Sequence, residues 1–160
     1  ALTGPAGAAA AFRRSAWEQA GGLDEQIPAY SEDLDLALRL RAAGWSTALA
    51  LDAIAVHVGS ATFGHRSADQ RWRAGYARGH LLRRYRVLRG AAGPRALLTE
   101  AIVVGGDLLI SRDLAAGRGR IAGWRAAADR PPRPAPPEAA IDRRIGFVES
   151  LRLRRRAYSG

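Results

Sequence analysis

The sequence predicts an α/β unit, predominantly helical with short strands, that runs on into a helical extension. Three observations carry this. Ser15–Ala20 and Ser31–Ala43 each pair an N-capping residue with a closing glycine. Trp45–Leu51 and Ile54–Val58 alternate with the two-residue period of strands. From Ser67 onward, aromatic and arginine residues fall at helical spacing.

Each element follows from local chemistry. Gly4-Pro5-Ala6-Gly7 reads as a tight loop, and Ala8–Phe12 as a short buried strand. Ser15 and Glu18 form a capping box for a helix over residues 16–20, closed by Gly21-Gly22. Ser31 is the expected N-cap of the next helix, whose first turn holds Glu32, Asp33 and Asp35, where negative charge suits the macrodipole. Gly44 ends it. A long helix is expected over residues 68–89, then a break at 90–94 and further helices over 95–128, interrupted at Gly105-Gly106 and around 117–123. Pro131–Pro137 reads as an extended linker and the last 20 residues as a basic tail. The expected divisions are therefore 1–66, 67–128 and 129–160.

Composition narrows the class. The chain has 160 residues, 48% of them hydrophobic and 25% charged, which is the composition of a folding domain or half of a larger one. It has no Cys, excluding disulfide frameworks and thiolate metal sites. It has no Met, even at position 1, and so reads as a fragment. No stretch reaches the roughly 20 apolar residues of a bilayer span, and no signal-peptide pattern opens the chain.

All 25 basic residues are Arg. Residues 1–63 carry four Arg against seven acids, net −3, whereas residues 64–160 carry 21 against eight, net +13. This asymmetry suggests chemistry in the first part and an anionic partner for the second.

The densest constellation is Tyr30-Ser31-Glu32-Asp33-Leu34-Asp35-Leu36, with His57 further along. Acids capping a helix account for part of it, but adjacent carboxylates each need a partner or a task. Asp35 is expected to pair with Arg39, four residues on. His65 and His80 are expected at the surface, and Trp17 and Trp45 in the core. Trp72, Tyr76 and Tyr85 fit helix packing better than a membrane-interface belt.

The order Gly4-Pro5-Ala6-Gly7-Ala8-Ala9, Arg13-Arg14-Ser15, Gly21-Gly22-Leu23-Asp24-Glu25, Tyr30-Ser31-Glu32-Asp33-Leu34-Asp35-Leu36, Ala43-Gly44-Trp45 and Val56-His57-Val58-Gly59-Ser60 resembles the signatures of inverting GT-A glycosyltransferases, closest to a rhamnosyltransferase-like subgroup. The resemblance spans residues 2 to about 89. It implies the C-terminal, acceptor-side half of a nucleotide-sugar transferase, with the donor-binding half upstream. Asp33 would be the catalytic base, Glu32 and Tyr30 would bind the acceptor, Gly4–Gly7 would line the cleft, and His57 would ligate a divalent Mg or Mn ion. Leu23, Ile27-Pro28, Leu51 and Gly79-His80 depart from the family pattern.

The chemistry suits these groups. An acceptor hydroxyl attacks the anomeric carbon from the face opposite the leaving diphosphate, a single carboxylate takes its proton, and a metal neutralises the departing charge. The implied partners are a nucleotide-sugar donor, a sugar or lipid-linked acceptor, and an anionic membrane surface reached from the cytoplasmic side, with a homo-oligomer left open. The pI of 11.4 also fits a nucleic-acid-binding module, a reading that the acidic first part opposes. A membrane-associating fragment without activity is the third alternative.

Overall fold

A computed structural model describes residues 7–56 and 67–135, together with 137, 146, 148, 149 and 152. In chain order the helices are α1 (Arg14–Ala20), α2 (Glu32–Ala42), α3 (Ala68–Arg84), α4 (Gly93–Ser111) and α5 (Ala115–Ala126), with a 3-10 turn at Val87–Arg89. Among the described residues there is no strand, so the expected mixture of helix and strand becomes a helical assembly. Residues 8–12 and 45–56 are irregular, and Leu51, Ile54 and Val56 are more than four-fifths exposed. The reason is physical: alternation shapes one face of a strand, but backbone pairing requires a neighbour, and among the described residues none pairs with these segments.

The two N-terminal helices owe their ends to glycine. α1 begins one residue before Ser15, so the expected capping box does not form, and Glu18 instead pairs with Arg14 at 2.7 Å. It ends in a Schellman motif: Gly21 is left-handed at φ 76°, and the Gly21 and Gly22 amides donate to Glu18 and Trp17 carbonyls. α2 ends the same way at Gly44 (φ 87°), with the Trp45 amide on the Leu40 carbonyl and the Trp45 ring packed beside Leu40. Ala16, Leu36 and Leu40 form the core there, flanked by Phe12, Trp17 and Trp45 as expected.

α3 starts under a Ser67 cap whose hydroxyl accepts from the Gln70 amide at 3.0 Å. It runs through Gly75 and Gly79 and packs directly on α5, which runs through Gly119 and Gly123. A methyl group on any of the four would drive into the opposite backbone: Gly75 into the Ala116 carbonyl, Gly79 into Arg120, Gly119 into Trp72 and Gly123 into Tyr76. These partners rise together along both chains, so α3 and α5 lie parallel. Paired small-xxx-small glycines allow this backbone-to-backbone approach. The expected break around 117–123 is thereby corrected, since those glycines are contact surfaces within a helix. Gly105 and Gly106 likewise leave α4 unbroken, and the real interruption is at Arg112, in the left-handed region at φ 52°.

α4 is built inside out. Its buried side carries Glu100, which accepts from Arg78 Nε at 2.7 Å and Arg120 Nε at 3.0 Å. Its outward face shows Leu97, Leu98, Ile102, Leu108 and Leu109 to solvent. No described helix is long and apolar enough to cross a membrane.

The basic extension and the first part share packing. Ile27 and Leu34 contact Ala77, Leu81 and Tyr85. The proline-rich segment also docks: the Arg133 amide donates to the Arg84 carbonyl at 2.8 Å, correcting its reading as a free linker.

Candidate functional site

The site is built at the start of α2. Tyr30 and Ser31 both lie in the left-handed region (φ 65° and 63°), a conformation costing non-glycine residues of order 1–3 kcal/mol each and concentrated at functional sites. Ser31 therefore caps by backbone alone, accepting from the Asp35 amide at 3.0 Å, and its side chain makes no capping bond.

Asp33 follows directly. Its Oδ2 accepts from the Gly7 amide at 2.9 Å and its Oδ1 from the Leu34 amide at 2.7 Å. The end of the glycine loop and the expected base are thus brought together, and the carboxylate is half-buried. Among the described residues no arginine pairs with it. Beside it, Glu32 Oε2 is buried without a hydrogen-bond partner among the described residues. Gly4, Pro5, Ala6 and His57 lie outside the described residues.

Asp35, two residues on, has the opposite environment. It is fully buried, accepts from Arg39 Nε at 2.8 Å and from the Tyr85 hydroxyl at 3.0 Å, and lies 3.2 Å from Arg133 Nε. Arg39 also donates to the Ala20 carbonyl, tying α1 to α2. Asp35 is therefore a structural acid, as its expected pairing with Arg39 implies. Burial and the Asp35 carboxylate push the Tyr85 hydroxyl well above its ordinary range.

Asp24 completes a second polar centre that sequence reasoning missed. Its Oδ2 lies 2.5 Å from Arg133 and 3.9 Å from both Arg84 Nη1 and His80 Nε2. Burial alone would raise its carboxyl, but the Gln26 amide and the Arg133 charge outweigh that and hold it below the usual value. The sole sequence signal for Arg133 is an arginine set within a proline run.

His80 corrects the surface expectation. It is fully buried, its ring lies 6.2 Å from Tyr76, and neither nitrogen has a hydrogen-bond partner among the described residues. Burial pushes its imidazole below the ordinary value, against the pull of Asp24. Tyr76 stacks in turn on Trp72 at 5.4 Å, so these aromatics serve packing. Gly79-His80, where the sequence departs from the family pattern, are thus the residues seated against α5 and beneath Asp24.

Among the described residues no three His, Asp or Glu side chains converge to hold a metal ion.

Over residues 2–121 the chain matches the family described as Glycosyl transferase family group 2, and it belongs to that family. Its members are glycosyltransferases, which implies a nucleotide-sugar donor and an acceptor as partners. No curated protein and no solved structure matches the chain.

Proposed function

We propose that this glycosyltransferase works by inversion, with Asp33 as the base. In one step the acceptor oxygen forms its bond to the anomeric carbon, the bond from that carbon to the diphosphate breaks, and the hydroxyl proton passes to Asp33. The observation carrying this is the state of the Asp33 carboxylate: two amides orient it and no described arginine neutralises it. The unpartnered Glu32 Oε2 supports an acceptor contact, since a sugar hydroxyl would supply the missing donor. Tyr30, held in strained backbone, would shape that same subsite, and Gly4–Gly7 would form its floor. His57 would ligate a Mg or Mn ion that neutralises the leaving diphosphate.

The finer reading is a rhamnosyltransferase-like enzyme acting on a sugar or lipid-linked acceptor in cell-envelope polysaccharide or glycolipid synthesis. It would work peripherally on the cytoplasmic membrane face. Support for a membrane comes from α4, about 28 Å long, whose apolar outward face belongs to a segment (67–135) with 14 Arg against five acids. Each arginine near an anionic surface adds about 1 kcal/mol.

The test is Asp33→Asn in the full-length enzyme. The expected result is kcat lower by about 10²–10⁴-fold with KM little changed. Transfer near the wild-type rate would remove Asp33 as base. In the same preparation, flotation with phosphatidylglycerol vesicles but not with neutral ones is the expected outcome, and no flotation with either would discard the membrane partner.

A further inference from the structure

Beyond the transferase site, a cleft of about 210 Å³ opens where α3 gives way to the 3-10 turn and α5 ends. Arg83, Arg86, Arg89 and Arg130 line it with Trp124 and Pro132, and among the described residues no acidic side chain does. Elsewhere in this part of the chain five arginines are matched, Arg71 to Asp113, Arg73 to Asp69, Arg78 and Arg120 to Glu100, and Arg133 to Asp24, whereas the exposed Arg112, Arg118 and Arg125 stand apart from one another and do not line this cleft. For the four cleft arginines, no described carboxylate plays that part.

Like charges gathered along one concave surface repel unless an anion joins them. Guanidinium groups are suited to one class of anion in particular, because their planar forks meet phosphate oxygens two at a time. The cleft is also built in advance. Arg83 lies over the Trp124 ring, 5.3 Å from its centroid, and its Nη1 donates to the Trp124 carbonyl at 3.4 Å. Arg86 sits in left-handed backbone (φ 51°), and two turns link the three arginines, the Arg86 amide donating to the Arg83 carbonyl at 3.0 Å and the Arg89 amide to the Arg86 carbonyl at 2.9 Å. The segment carrying Arg130 and Pro132 is fixed by the Arg133 amide on the Arg84 carbonyl. The volume is several times the roughly 30 Å³ share of one water molecule, leaving room for a phosphate or diphosphate group.

We propose that this cleft is a binding site for a phosphate or diphosphate group, separate from Asp33. It would bind whether or not Asp33 acts as the base. The group could be carried on a lipid or be free, and the experiment separates the two.

Inorganic pyrophosphate is titrated into the full chain at physiological salt, following heat and tryptophan fluorescence. Saturable binding with quenching of Trp124, lost in Trp124→Phe while the heat remains, is expected. Arg83→Gln with Arg86→Gln should weaken binding about tenfold or more, since each charge-assisted bond is among the stronger kind. Arg86→Gln with Arg130→Gln, both exposed residues, should do the same if the first pair fails to fold. Arg118→Gln, an exposed α5 arginine outside the cleft, should change it less than about twofold. Absence of saturation, or an equal loss with Arg118→Gln, overturns the site in favour of diffuse attraction. Phosphatidic acid vesicles bound more tightly than pyrophosphate, through the same arginines, would assign the phosphate to a lipid. Tighter binding of pyrophosphate would assign it to a soluble compound.

Discussion

Helices α3 and α5 meet through glycine, backbone against backbone, while α4 meets them through Glu100 held by Arg78 and Arg120. Glycine content is similar in the two settings, yet a Cβ at Gly123 would strike the Tyr76 carbonyl and one at Gly105 or Gly106 would meet open space. A glycine in a helix is therefore informative only with its partner in view. The first pairing is fixed by shape and the second by charge, so the two should fail under different perturbations.

Gly123→Ala should show the largest effect, a loss of about 3 kcal/mol or more from overpacking at a site where only backbone could yield, lowering Tm by roughly 6–12 °C. A Gly123→Ala protein as stable as the wild type would overturn the close approach. Glu100→Gln follows at about 3 kcal/mol, because two half-buried arginines lose their common partner. Hydrogen exchange should then rise in α4 before it rises in α3 or α5. Burial pulls Glu100 upward, but hydrogen bonds and charges from Arg78 and Arg120 hold its carboxyl below the usual value. Its contribution is thus complete above about pH 4.5 and declines as pH falls through its lowered folded-state value.

The next effect is smaller and belongs to α3. The His80 imidazole is depressed on folding, so only the unfolded chain takes up a proton as pH falls below about 6.5, and stability should decline over that range. Denaturant melts of His80→Phe should lack that part of the slope, and an unchanged slope would deny the burial a role. The smallest effect has the opposite sign: Gly105→Ala should stabilise by about 0.5–1 kcal/mol, as expected for open helical positions.

The pattern of legibility follows from range. Schellman glycines at Gly21 and Gly44, the Asp35–Arg39 pair and the Trp17 and Trp45 core are set by neighbours within a few residues, and the sequence displays them. The alternation of residues 45–56 says nothing about whether a partner strand is present. Gly119 and Gly123 read as breakers because their partners lie more than 40 residues away on α3. At the candidate site the Glu32-Asp33 pair stands out locally, whereas the strain at Tyr30-Ser31 and the amide that Gly7 lends to Asp33 depend on chain tracing. His80 was misread for the same reason, since nothing adjacent announces that α5 will cover it.

The bond from Arg133 to Asp24 spans 109 positions. A ribosome adding about 5–20 residues per second would need roughly 5–20 s between making the acid and making its cation. During that interval Asp35 already has Arg39, four residues on, but Asp24 lacks the cation that lies nearest to it. Translation order thus leaves the segment before α2 without its Arg133 clasp until α5 has been made, and a nascent chain halted before residue 133 should remain protease-sensitive between residues 22 and 31.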